Sequence, residues 1–213
     1  MVAMLIRILL NIFLLTQLFF ASHVFASGGY DNGTAAGKGK LDLDLTINPG
    51  DLSKEWPESL DEKGQSYLVW GYGLDDEFDF HGYVSHGADG TDQIYYGLKY
   101  NFLSTDWLDL STATGLRHIE SRTDLIFPQL LYTIKLSNDF DIIGSFTNIY
   151  NTTDDDNIGQ SSDVAFRIPV PESLTPSFFR DIKIAVGLFK PSTRDWKPSS
   201  DNWYPTYSID CRF

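Results

Sequence analysis

Strict alternation of apolar and polar residues constrains the fold of this chain more than any other feature. It is clearest in the last ten residues, 204–213. Because side chains alternate between the two faces of a strand, this segment sorts its residues into two sets. One face would carry Tyr207, Ile209, Cys211 and Phe213, and the other Thr206, Ser208, Asp210 and Arg212. The first face suits an apolar environment and the second suits water.

Ten segments of the chain show the same period of two. They span residues 41–48, 67–74, 78–85, 94–103, 108–117, 130–136, 140–147, 164–170, 182–189 and 204–213. Short alternating runs separated by turn residues are typical of antiparallel strands. We therefore predict an all-β domain over residues 41–213, an antiparallel up-and-down β-barrel of ten strands, with eight strands as the alternative.

The polar face of these strands combines charge with glycine. It carries Asp79, His81, Lys99, Asp109, Arg117, Lys135, Asp141, Arg167, Lys183, Asp210 and Arg212, interspersed with Gly71, Gly73, Gly97, Gly115 and Gly187. Glycine weakens a strand unless another group approaches closely, and the lumen of a small barrel is barely wider than the side chains that fill it. We therefore expect this face to line the lumen as a network of paired charges. A secreted soluble β-barrel is the alternative, because its strands alternate too.

The alternating final strand that ends on Phe213 resembles the closing strand of bacterial outer-membrane β-barrels. This resemblance implies a transmembrane barrel in contact with outer-membrane lipid, with both termini in the periplasm. It also implies that Tyr207, Ile209, Cys211 and Phe213 form a C-terminal signal for the barrel-assembly machinery. Short connections at 75–77, 104–107 and 137–139 alternate with longer ones at 49–66, 118–129, 148–163 and 190–203. Outer-membrane barrels show the same contrast between periplasmic turns and extracellular loops.

The N-terminal 40 residues predict two segments outside the barrel. Arg7, the apolar run 8–20 and the sequence Val24-Phe25-Ala26 are typical of a secretory signal peptide over residues 1–26. A single membrane anchor is the alternative, since about 20 apolar residues can span a bilayer. The polar, glycine-rich residues 27–40 predict a flexible leader.

Hairpin geometry predicts strand register, because the centre of a turn determines which residues face each other. We predict three sets of partners: Gly71–His81 with Gly73–Asp79, Phe102–Leu108 with Tyr100–Leu110, and Leu130–Phe146 with Lys135–Asp141, Ile134–Ile142 and Leu136–Phe140. In the first set, the glycines would make room for their polar partners.

Charge and loop composition limit the partners. A formal net charge of −13 at pH 7 argues against nucleic acid. We expect no cofactor, with one candidate exception. Asp154, Asp155 and Asp156, followed by Asn157, offer the oxygen ligands that Ca²⁺ prefers.

Three classes of function follow, in this order. The first is a structural or interaction role through acidic extracellular loops. The second is a narrow, porin-like channel for small solutes or ions. The third is an outer-membrane enzyme acting on lipid or peptide. Asp79, His81 and Ser85 share one face of a strand and could serve such an enzyme. However, side chains two apart on a strand lie roughly 7 Å from each other, which argues against a catalytic triad.

Overall fold

A computed structural model describes residues 32–48, 65–87, 90–120, 122–137, 140–152, 158–190 and 203–213. The predicted signal peptide lies outside the described residues. Ten strands are present in these ranges: β1 Leu41–Asn48, β2 Gln65–Gly73, β3 Phe78–Gly87, β4 Asp92–Ser104, β5 Leu108–Ile119, β6 Arg122–Ser137, β7 Phe140–Asn151, β8 Ile158–Pro169, β9 Asp181–Lys190 and β10 Tyr204–Arg212.

Each strand pairs antiparallel with its sequence neighbours, and β10 pairs with β1 to close the barrel. At the closure, Asp42 lies opposite Arg212 and Leu45 lies opposite Ile209. The predicted ten-stranded barrel is confirmed. No helix among the described residues is long and apolar enough to cross a membrane.

The predicted hairpin registers are correct where the strands are regular. Gly71 faces His81, and Gly73 faces Asp79. Between β6 and β7, Leu130 faces Phe146 and Lys135 faces Asp141. A shift after Lys135 pairs Ser137 with Phe140, so the predicted partnership of Leu136 with Phe140 is wrong.

The predicted register of β4 and β5 is also wrong. Tyr100 faces Thr112, and Leu103 faces Leu110, because a register shift falls between Asn101 and Leu103. A bulge inserts an unpaired residue into one strand, and a turn centre chosen from sequence alone does not account for it.

The predicted long connection at 118–129 is a third correction. Strand β5 continues to Ile119 and β6 starts at Arg122, so a tight turn joins them, with Glu120 at a φ of 51°. Charged residues near this turn therefore belong to the barrel wall rather than to a loop.

The two rims of the barrel differ. One rim, here called the terminal rim, holds the start of β1, the end of β10 and the connections β2/β3, β4/β5, β6/β7 and β8/β9. The opposite rim, called the distal rim, holds the end of β1 and the start of β10. The β8/β9 connection lies beside the end of β10 at the terminal rim, where the ring centroids of Phe179 and Phe213 are 4.9 Å apart.

Burial separates the two faces of the wall. The lumen side buries charged residues, including Asp79, Asp109, Arg117 and Arg167, each at most 4% exposed. The outer side exposes large apolar residues on strand after strand, such as Phe80, Leu98, Phe146, Ile184 and Leu188. A protein surrounded by water places these classes the other way round.

Candidate lumen site

An ion-pair cluster joins β7, β8, β9 and β10 near the terminal rim. The guanidinium of Arg167, 1% exposed, donates to Asp141 at 2.9 Å and to Asp210 at 2.6 Å. The ammonium of Lys183 donates to the same Asp141 carboxylate at 2.7 Å. A buried charge is tolerated when it is paired and hydrogen-bonded, and each of these four groups is.

Two more ion pairs lie on the opposite side of the lumen, where they join neighbouring strands between β3 and β6. Lys99 lies 2.9 Å from Asp79, and Lys135 lies 2.8 Å from Asp109. Arg212 adds a contact to Asp42 at 3.4 Å. Charged side chains therefore follow the lumen wall near the terminal rim from β3 around to β1.

The same carboxylates bind the N-terminal segment, which we define as residues 32–40. Both oxygens of Asp79 accept from the amide of Ala36 at 3.1 Å. The hydroxyl of Thr34 donates to Asp109 at 2.8 Å, and the carbonyl of Thr34 accepts from Lys99 at 2.9 Å. Residues 33–36 of the segment thus lie inside the lumen, whereas Lys38, Gly39 and Lys40 are exposed. The sequence predicted a flexible leader for 27–40 and offered no sign of these contacts.

Neutral wall groups hold the start of the N-terminal segment. The carbonyl of Gly33 accepts from Asn101 at 2.6 Å and from Ser111 at 2.7 Å, while its amide donates to Thr133 at 3.0 Å. A side chain at Gly33 would place its Cβ 2.5 Å from the carbonyl oxygen of Asp109. Only glycine fits this position.

The end of the N-terminal segment lies against β2. Lys38 forms a parallel bridge with Gly73, and the amide of Gly39 donates to the Gly73 carbonyl at 2.8 Å. A Cβ at Gly73 would lie 2.0 Å from the Gly37 carbonyl oxygen, whereas a Cβ at Gly71 would meet nothing within 4 Å. Gly73 therefore makes room for the N-terminal segment. The sequence predicted only that it would make room for Asp79, its partner on β3.

A second charged cluster lies near the distal rim. Arg117 lies 2.8 Å from Asp124, and Arg122 lies 3.3 Å from the same carboxylate. Asp124 is fully buried. Sequence reasoning missed Asp124 because it assigned 118–129 to a loop. Asp124 and Ile126 point inward at even positions, whereas Gln129, Leu131 and Thr133 point inward at odd ones, so the two parts of β6 are out of phase.

The strand β3 residues do not assemble as a catalytic triad. Asp79 binds Lys99 and Ala36, whereas Nε2 of His81 lies 3.0 Å from the hydroxyl of Tyr95. The hydroxyl of Ser85 is buried and has no hydrogen-bond partner among the described residues. These groups therefore fill the lumen as separate contacts.

The remaining predicted site residues fall into two groups. Tyr207 and Phe213 are exposed on the outer side, Ile209 and Cys211 are half-buried, and the amide of Phe213 donates to Leu41 at 2.9 Å. The calcium candidates Asp154, Asp155 and Asp156 lie outside the described residues. Among the described residues, no group of three His, Cys, Asp or Glu side chains could hold a metal ion.

The cavities differ between the rims. Near the N-terminal segment, a space of about 30 Å³ lies between Asn32, Asp44, His81 and Lys99. At the distal rim of β1 to β5, a cavity of about 810 Å³ lies beside Tyr67, Ser85 and Gln93 and extends to the apolar outer face.

A closed antiparallel barrel with charges inside and an apolar exterior is a transmembrane β-barrel of the outer-membrane class. Solved structures of similar architecture include the KdgM porin, which is 11% identical, covers 82% of this chain and 98% of its own, and has a TM-score of 0.48. The NanC porin is 13% identical, covers 87% of this chain and 97% of its own, and has a TM-score of 0.44. No protein-family model matches the sequence, and no curated protein matches it. Strand pairing and burial in this chain itself define the barrel.

Proposed function

We propose that this protein is a narrow outer-membrane channel that prefers small cations. The supporting observation is the charge of its lumen wall. Among the described residues, acidic side chains on this wall outnumber basic ones. The acids are Asp42, Asp44, Asp79, Asp109, Asp124, Asp141, Asp163 and Asp210, and the bases are Lys99, Arg117, Arg122, Lys135, Arg167, Lys183 and Arg212. Rings of charged side chains set the ion selectivity of pores.

An acidic excess lowers the energy of a cation inside a wall of low dielectric constant and raises that of an anion. Asp44 is well placed for this effect, because it is 8% exposed and borders the small cavity beside Lys99 and His81. The interaction role that the sequence favoured depends on acidic extracellular loops, and residues 49–64, 153–157 and 191–202 of these loops lie outside the described residues. The lumen supports the channel instead.

The orientation of the barrel is part of the proposal. The terminal rim would face the periplasm, since it carries the tight β2/β3 and β4/β5 turns and outer-membrane barrels place short turns on that side. The exposed aromatic side chains of Tyr207 and Phe213 support recognition of β10 by the assembly machinery.

The reversal potential of single channels tests the proposed selectivity. In a planar bilayer under a KCl gradient, the wild-type chain should conduct with the sign of a cation-preferring pore. Asp44→Asn should lower the ratio of cation to anion permeability, whereas Glu172→Gln in the exposed β8/β9 connection should not change it. An anion-preferring reversal potential would overturn the proposed selectivity, and the absence of conductance from every inserted variant would overturn the channel.

A further inference from the structure

The N-terminal segment occupies a site made from wall groups that also serve one another. Asp79 binds both Lys99 and the amide of Ala36, and Asp109 binds both Lys135 and the hydroxyl of Thr34. Each carboxylate therefore keeps a cationic partner whether or not the segment is in place. A vacated site would leave neither Asp79 nor Asp109 without a cation.

The contacts of the segment are of a kind that can be exchanged for water. Residues 33–36 form hydrogen bonds with the wall in both directions. The amides of Gly33 and Ala36 and the hydroxyl of Thr34 donate, and the carbonyls of Gly33 and Thr34 accept. Such bonds contribute modestly in net terms, because water replaces them when they open. The closed arrangement is specific, since Gly33 and Gly73 each allow a backbone approach that a Cβ would block.

We infer that the terminal mouth of the lumen is a binding site for an extended, small-residue peptide, that residues 32–40 of this chain are its ligand, and that their binding closes the pore. The closure function rests on the proposed channel, whereas the peptide site does not. With the segment bound, residues 33–36 connect wall groups of β3, β4, β5 and β6 across the lumen. Release would open this end of the lumen to water.

Two neighbouring glycines provide a matched pair of variants of the full chain. Gly73→Ala places a Cβ against the Gly37 carbonyl and should displace the segment. Gly71→Ala adds the same methyl group two residues away in open space and should leave it bound. We expect the single-channel open probability of Gly73→Ala to exceed that of wild type by about tenfold or more, because several hydrogen bonds are lost together. Gly71→Ala should match wild type.

A third variant tests the binding site while the chain's own segment cannot occupy it. Gly33→Val prevents the segment from seating, because its Cβ would meet the backbone of Asp109 and Thr133, but it leaves the wall unchanged. A synthetic peptide of residues 32–40, labelled for fluorescence anisotropy, should bind Gly33→Val saturably and restore its closed state. The same peptide should bind Gly73→Ala much more weakly. Heat-modifiable gel migration checks that every variant forms a barrel.

The outcomes distinguish the two proposals. Equal open probability in wild type, Gly73→Ala and Gly33→Val would overturn the closure while leaving the channel intact. If no variant conducted, the proposed channel would be overturned. Saturable binding of the peptide to Gly33→Val would then still support the peptide site. No saturable binding to Gly33→Val would overturn the site itself.

Discussion

Glycine has three different roles in the wall of this barrel. At Gly71 it leaves open space beside the lumen, and at Gly73 it admits the backbone of the N-terminal segment. At Gly97 and Gly187, a Cβ would collide with the carbonyl of the neighbouring strand at 2.1 and 2.0 Å. These last positions let adjacent strands approach closely as the sheet curves into a barrel. The same residue type therefore shapes both the wall and the site inside it.

Arg167 is the residue on which the cluster of β7 to β10 depends. Replacing it with Met would leave Asp141 with Lys183 alone and Asp210 without its guanidinium partner. Breaking a buried ion pair on one side costs roughly 3–5 kcal/mol. We expect Arg167→Met to lower the free energy of unfolding from lipid vesicles by about this amount.

Lys183→Met is the control for that variant, because Lys183 is 18% exposed and Asp141 keeps Arg167. Denaturant unfolding followed by tryptophan fluorescence gives both values. If the two variants lost equal stability, Arg167 would not hold the cluster as described.

Lumen residues could be predicted from sequence because the period of two is a property of every strand. This period placed Asp79, Lys99 and Arg167 on the lumen face, although it did not identify the groups that they bind. It could not predict the N-terminal segment, since Gly33 and Thr34 in a polar stretch carry no periodic signal. The partners of such a segment are defined only when a closed wall surrounds it.

Among the strands, β-bulges are the places where the sequence pattern does not predict which residues pair. The register shift between β4 and β5 moves the inward positions of β4 from Asn101 to Ser104, which lies opposite Asp109. Tyr100 and Leu110 still point outward, but they no longer face each other. A second shift between Ile126 and Gln129 moves the inward positions of β6 from even to odd numbers. Hairpin arithmetic assumes one partner per residue and therefore fails at each bulge.

The tight β2/β3 turn depends on Asp75. The amides of Glu77 and Phe78 donate to its carboxylate at 2.8 and 2.7 Å, and these bonds lower the pKa of Asp75 from its ordinary value of 3.8. A lowered pKa means that the carboxylate stabilises the turn above the unfolded pKa and loses this effect as the pH falls through the folded pKa.

An NMR titration of the Asp75 side-chain carboxyl carbon checks this prediction. The midpoint in the folded chain should lie below that of an unstructured peptide of residues 73–79. A midpoint equal to or above the peptide value would show that the two amides do not stabilise the ionised form.

The whole molecule is organised by the contrast between a charged interior and an apolar exterior. Exposure of Phe80, Leu98 and Ile184 on the outer face is unfavourable in water and favourable in lipid. Exposure of Asp79 and Arg167 on that face would be unfavourable in lipid, so these charges lie in the lumen. The closed wall leaves no unpaired strand edge in the bilayer, because β1 pairs with β10. Lumen charge, the seated N-terminal segment and the proposed conductance all depend on this arrangement.

Spin-label accessibility along β4 in lipid bilayers tests it most directly. In a Cys211→Ser background, single cysteines would replace Tyr96, Leu98 and Tyr100, which are 37–49% exposed, and Glu172 as a water-exposed reference. We predict high accessibility to oxygen and low accessibility to a water-soluble nickel chelate at the three β4 positions, and the reverse at Glu172. High nickel accessibility at Tyr96, Leu98 and Tyr100 would show that this face meets water, and would contradict the membrane-spanning barrel.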